Sequence, residues 1–163
     1  MYSRPYDAEY QKNSNFLEIA TYDGNTAYAI ASNLPQGSKV ITIDLPEVTQ
    51  QNAKFHYDNH LVHNPSRSNK KHLNLLNVQQ VYSDSTKLDF SGFYFNIAFI
   101  DGGHDFVTVK SDTFNILNNI KSSGVIMWHD YDVECEIGDL LHHLPKDYLI
   151  CHIEGSRLAY LKV

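Results

Sequence analysis

Residues 16–44 read FLEIATYDGNTAYAIASNLPQGSKVITID. The stretch opens with a short apolar run that contains an acid, Phe16-Leu17-Glu18-Ile19. A turn of small and polar residues follows, Ala20-Thr21-Tyr22-Asp23-Gly24-Asn25, and then an alanine-rich segment from Thr26 to Leu34. Pro35-Gln36-Gly37 breaks that segment, and a second apolar run, Val40-Ile41-Thr42-Ile43, stops at Asp44. Strand, glycine turn, helix, strand and acid in that order predict a nucleotide-type βαβ unit. Gly24 and Asp44 stand 20 residues apart, the span that brings an acid beside a ribose.

The turn is not the one that cradles a pyrophosphate. Such a turn needs glycines where the backbone approaches the phosphates, and here the first glycine position is Ala20 and only Gly24 remains. Glu18 and Asp23 flank it, and two carboxylates would repel a pyrophosphate. A cationic ligand with a ribose and no phosphate suits the turn better, and S-adenosylmethionine has a sulfonium, an ammonium and a ribose. The plainer alternative is a glycine at an ordinary α/β corner.

Outside this unit, composition narrows the classes. The chain has 163 residues, 42% apolar and 20% charged, which predicts one domain over residues 1–163 with a sizeable core. A net charge of −6 argues against nucleic acid as the main partner, since binding the phosphate backbone needs a basic face. No apolar run reaches the length of a membrane span, and the N-terminal MYSRPYDAEYQKNSN lacks the apolar core of a signal peptide. Cys135 and Cys151 form no ligand motif and read as reduced packing residues, so the expected compartment is the cytoplasm. A homodimer is left open.

The remaining pattern continues the alternation. Residues 1–15 read as a short helix or an arm over the cofactor. Helices are expected over 25–34 with Asn25 as cap, over 47–61, over 106–120 and over 134–143. Strands are expected over 16–20, 39–44, 78–82, 96–100 and 125–128, with a closing hairpin of 148–153 and 157–163 around Glu154-Gly155-Ser156. Short helical turns are expected within 72–77 and 86–94. The basic loop His63–Lys71 reads as a solvated loop or as a contact for an anionic substrate group. The fold class that follows is α/β: a Rossmann-like, doubly wound, seven-stranded and mostly parallel sheet, with the hairpin making one strand antiparallel.

Glu18, Asp44, Asp84, Asp101 and Asp130 each stand at or just after the end of a predicted parallel strand. Ligands of open parallel sheets bind beyond those ends. One such acid is ordinary turn chemistry. Five at equivalent places predict an edge suited to a cation, a ribose or a metal.

With these motifs in hand, Glu18-Ile19-Ala20-Thr21-Tyr22-Asp23-Gly24, Asp44, Asp84, Ile100-Asp101-Gly102-Gly103-His104 and Gly124-Val125-Ile126-Met127-Trp128-His129-Asp130 resemble class I S-adenosylmethionine-dependent methyltransferases. The nearest likeness is to the macrocin and catechol types of small-molecule O-methyltransferase, and it runs from about Asn15 to the C-terminus. Two departures stand out: Ala20 replaces the usual glycine, and little sequence precedes the first strand, where relatives often carry a substrate-covering segment. The resemblance implies that Asp44 binds both ribose hydroxyls. Asp84, with Ser83 nearby, would accept from the adenine amino group. Glu18 and the turn through Ala20, Gly24 and Asn25 would hold the methionine part.

Asp101, His104, His129 and Asp130 form a second constellation, because the ends of strands four and five are neighbours in such a fold. Asp101 would serve both the cofactor and the acceptor. Asp101, Asp130 and His129 would make a site for Mg²⁺ or another divalent ion. Alternatively His104 would take the proton as general base, with Asp101 and Asp130 beside it. The other histidines, His72 among them, read as having no comparable setting. The expected function is methyl transfer to a small-molecule acceptor, at a hydroxyl oxygen. The alternative is a non-catalytic S-adenosylmethionine-binding or regulatory module.

Overall fold

The computed structural model describes residues 14–46, 70–132 and 136–163. Seven strands form one sheet: β1 Phe16–Ile19, β2 Val40–Asp44, β3 Val78–Tyr82, β4 Ile97–Ile100, β5 Val125–Trp128, β6 Cys151–Ile153 and β7 Leu158–Lys162. Three α-helices are described, α1 Asn25–Asn33, α2 Phe106–Asn119 and α3 Glu136–His143, together with 3₁₀ turns at Lys71–Asn74 and Ser85–Lys87. The expected arm over 1–15, all but its last two residues, lies outside the described residues, as do the expected helix over 47–61 and the basic loop up to residue 69.

The strand order is β3-β2-β1-β4-β5-β7-β6. The chain starts in the middle of the sheet, runs outward to β3, then crosses back to β4 on the other side of β1. The switch point therefore lies between β1 and β4, where ligands of such sheets bind. β1 through β5 are parallel, and β7 lies antiparallel between β5 and β6, so the hairpin does reverse one strand.

Register sets the level of the edge. Ile19 pairs with Ile43 and with Ile100, and Ile100 pairs with Trp128. Ala20, Asp44, Asp101 and His129 thus leave the sheet at one height. Buried apolar runs explain why these strands are central: all four residues of β1 are buried. Because side chains alternate along a strand, Leu17 and Ile19 join the core with Val109 and Ile116 of α2, while Phe16 packs with Ala27 and Ala31 of α1. Glu18 shares the face of Phe16.

One local reading is corrected. Asn25 does not cap α1: Gly24 is the N-cap, at φ 77°, and the Asp23 carboxylate accepts the Asn25 backbone N–H at 3.1 Å and its side-chain amide at 2.6 Å. A left-handed residue is cheapest as glycine, so Gly24 takes the corner and Asn25 begins the helix. In α2 the buried face includes an acid, Asp112, at 0% exposure. Burial pushes its carboxyl up to about 6.

Candidate active site

The turn after β1 alternates in backbone hand. Ala20, Tyr22 and Gly24 have φ of 74°, 49° and 77°, while Thr21 and Asp23 do not have positive φ. Alternation of this kind gathers successive N–H groups on one concave side, a setting for an anion such as a carboxylate. Ala20 therefore adopts the conformation of the glycine it replaces, at a cost of roughly 1–2 kcal/mol for an L-residue.

Glu18 is not an edge carboxylate. It is 1% exposed, and its Oε2 accepts the Thr42 hydroxyl at 2.5 Å. Burial pushes its carboxyl up to about 8, with Asp101, Asp44 and Asp23 raising it further and the Thr42 bond opposing them. Three further acids, Asp101, Asp44 and Asp23, thus stand close enough to the turn to act on Glu18. Such a group of acids repels a pyrophosphate and attracts a cation, so it fits a sulfonium or ammonium ligand.

Asp44 ends β2 half-buried, with Oδ1 accepting the Leu45 N–H at 2.9 Å. Ser83 donates its backbone N–H to the Asp44 carbonyl at 2.8 Å, which ties the strand-three loop to the strand-two end. Asp84 caps the turn Ser85–Lys87. Its Oδ1 accepts from Thr86 N at 3.0 Å and Thr86 Oγ1 at 2.7 Å, and its Oδ2 meets Lys87 Nζ at 2.6 Å. These partners hold its carboxyl below the usual range. An adenine amino group would have to share an oxygen with Lys87. Asn25 sits exposed on the first turn of α1.

At the ends of β4 and β5 the second constellation does converge. His104 Nε2 lies 3.2 Å from Asp130 Oδ2. His129 Nδ1 lies 3.2 Å from Asp101 Oδ1 and 3.1 Å from Asp130 Oδ2, close enough for charge but not aligned for a hydrogen bond. Burial raises the Asp101 carboxyl, His129 lowers it, and Asp130 raises it again. Asp130 is held in the left-handed region at φ 54°, an uncommon conformation for a non-glycine residue. Its backbone neighbour is pinned, because Tyr131 donates its N–H to the Arg157 carbonyl at 3.1 Å.

Asp101, His104 and Asp130 are the residues whose ligand atoms group for an ion: one atom of each lies within 4.8 Å of the others. This grouping takes in Asp101 and Asp130 of the expected metal set with His104 as its third member, while the expected His129 has its Nδ1 beside the same two carboxylates. One O, one N and one O can hold a divalent cation. Against this, Asp130 Oδ1 is already engaged by Arg157 Nη1 at 2.9 Å.

Sequence reasoning missed Arg157, which reaches Asp130 from the hairpin turn, and the polar residues that support Glu18. Thr42 and Gln80 pair with Glu18 across the sheet in one register, Glu18–Thr42–Gln80. A polar residue at matching positions of three neighbouring strands was the available signal, but the register itself comes from the fold.

A family model described as a methyltransferase domain matches residues 17–131. A search of the curated proteins finds no match to the chain. Among solved structures, the O-methyltransferase NovP is similar at 13% identity and a TM-score of 0.72, over 95% of this chain and 74% of that one. TomG, an O-methyltransferase of tomaymycin synthesis from Streptomyces achromogenes solved with S-adenosylmethionine, is similar at 14% identity and 0.61, over 97% and 76%. An rRNA methylase from Streptococcus thermophilus is similar at 16% identity and 0.58, over 99% and 98%. At these identities the likeness is one of fold. With the family match across β1 to β5 and both strand-end constellations, the chain belongs to the methyltransferase-domain family, with the class I S-adenosylmethionine-dependent fold.

Proposed function

We propose that the chain, acting as one domain, transfers the methyl group of S-adenosylmethionine to a hydroxyl oxygen of a small molecule. The observation that carries this reading is the approach of His104, Asp101, His129 and Asp130 at the switch-point edge, at the level of the turn of Ala20 to Gly24. Gly24 and the turn's N–H groups, with Glu18 supporting the turn from beneath, would take the methionine part, Asp44 the ribose, and Ser83 and Asp84 the adenine. The transfer is an in-line displacement: an oxygen–carbon bond forms, the sulfur–carbon bond breaks, and the sulfur keeps the electron pair. With Nε2–H directed at Asp130, the His104 ring presents Nδ1 as the base that takes the hydroxyl proton. Arg157 and His129 hold Asp130 in place for that role.

Net charge supports a small acceptor over RNA, although the similar structures include rRNA methylases. A divalent ion is a second reading, favoured by the grouping of Asp101, His104 and Asp130. These three would hold it, and it would lower the pKa of an acceptor hydroxyl. No helix among the described residues is long and apolar enough to cross a membrane. The cytoplasm is the compartment we propose.

Calorimetry with S-adenosylhomocysteine and NAD tests the donor class, with binding of the first alone expected. Turnover on a panel of hydroxylated small molecules and on rRNA, with and without chelator, tests the rest. Turnover on rRNA alone overturns the small-molecule reading. Loss on chelation selects the ion over the free base. Binding without any turnover returns the chain to a non-catalytic S-adenosylmethionine-binding module.

A further inference from the structure

We infer that His72 is a positioning residue for the turn that takes the methionine part of the donor, acting through Gly24 and through Gln80. The inference rests on the donor reading above. His72 is 3% exposed and stands in the 3₁₀ turn that precedes β3. Its ring lies directly over Gly24: a Cβ on that glycine would fall 1.8 Å from His72 Nδ1, 2.2 Å from Cε1 and 2.6 Å from Cγ. The imidazole thus occupies the space a side chain would take, and it braces the left-handed corner from behind. No hydrogen-bond partner meets His72 Nδ1 among the described residues. A contact of packing, not of hydrogen bonding, is what that nitrogen makes with the turn.

The opposite ring nitrogen begins a chain. His72 Nε2 lies 3.0 Å from Gln80 Oε1. The Gln80 amide nitrogen donates to Thr21 Oγ1 at 2.9 Å, so its oxygen is the acceptor and His72 carries the proton on Nε2. Thr21 and Thr42 hydroxyls meet at 2.6 Å, and Thr42 reaches Glu18 Oε2. One continuous path therefore joins Gly24, His72, Gln80, Thr21, Thr42 and Glu18. It touches the donor turn at Thr21 and Gly24, and it ends on the acid beneath that turn. Buried chains of hydrogen bonds of this kind hold a loop in one geometry. Pre-organisation of the turn then spares ligand binding the cost of ordering it.

The test compares two ligands and two variants by calorimetry. S-adenosylhomocysteine carries the amino acid part, whereas 5′-methylthioadenosine keeps the adenosine and the thioether without it. His72→Ala is expected to weaken S-adenosylhomocysteine by about tenfold, the scale of one or two hydrogen bonds, and 5′-methylthioadenosine by less than about threefold. Gln80→Met, which keeps the volume on an edge strand, is expected to show the same selectivity and carries the test should His72→Ala not fold. Gly24→Ala closes a double-mutant cycle. Its left-handed strain is present in both backgrounds, so the loss it causes is expected to be smaller in His72→Ala than in the wild type. Equal loss of both ligands, no loss of either, or additive effects in the cycle would each overturn the inference. A wild type that binds neither ligand would instead overturn the donor reading on which it stands.

Discussion

On the β1–β2–β3 side of the switch point, Glu18 is buried and tied through Thr42, Thr21 and Gln80 to His72. On the β4–β5 side, Asp130 stands among His104, His129 and Arg157, with His104 42% exposed. Both acids belong to the same sheet, Glu18 within β1 and Asp130 just after β5. The first lies buried beside the Thr42 hydroxyl, where burial favours the neutral acid; the second has the Arg157 guanidinium and two imidazoles for neighbours. The difference separates two tasks. A buried hydrogen-bonded network stiffens a turn, and a half-exposed cluster of imidazoles and carboxylates can exchange a proton with a substrate.

The comparison is most exposed at His104. His104→Ala is expected to lower turnover by roughly 10²–10⁴, the range for loss of a general base, with S-adenosylhomocysteine affinity kept. If turnover survives, the β4–β5 cluster is structural and the contrast between the two sides dissolves.

Glu18→Gln probes the other side through pH. The folded-state value of about 8 lies above the ordinary 4.5. The folded chain then holds a proton that the unfolded chain has lost, so Glu18 favours folding fully below about 4.5. That stability is lost as pH rises toward 8. Glu18→Gln is expected to remove this slope and to be more stable than wild type at pH 8 by on the order of a few kcal/mol. Parallel pH profiles in denaturant melts would show that Glu18 ionises freely.

Asp44→Ala sharpens the ligand side. A loss of roughly 1.5–3 kcal/mol in S-adenosylhomocysteine binding is expected, the scale of hydrogen bonds to a charged group. Calorimetry showing unchanged affinity in a folded variant would remove Asp44 from the ribose.

The smallest effect is expected at Ala20. Its φ of 74° is a glycine conformation, so Ala20→Gly should raise stability by about 1 kcal/mol and leave binding equal or tighter. Ala20→Val places a β-branched residue in the same conformation and should disrupt the turn. A stable Ala20→Val variant with normal binding would separate this turn from the donor.

Much of the strand-end pattern was legible because it is local. Parallel strands appear as apolar runs, and the acids that follow them are one or two residues away. Asp101, His104, His129 and Asp130 were brought together as expected, since β4 and β5 pair in register. Asp84 was ambiguous in sequence because an acid before Ser-Thr-Lys suits a cap as well as a ligand, and its oxygens do engage Thr86 and Lys87. The expected cap at Asn25 failed by one residue, because the backbone hand of Gly24 decided where α1 begins.

By itself, the sequence determined the order of the described strands and helices, the glycine corner, and the acids and histidines at strand ends, all set by spacing along the chain. Only the tertiary structure decided that Glu18 is buried and raised, that His72 stands over Gly24, and that Arg157 reaches Asp130. Those contacts join positions far apart in sequence, such as Thr21 and Gln80, 59 residues apart. Sheet register and burial choose such partners, and the same burial sets which proton each acid keeps.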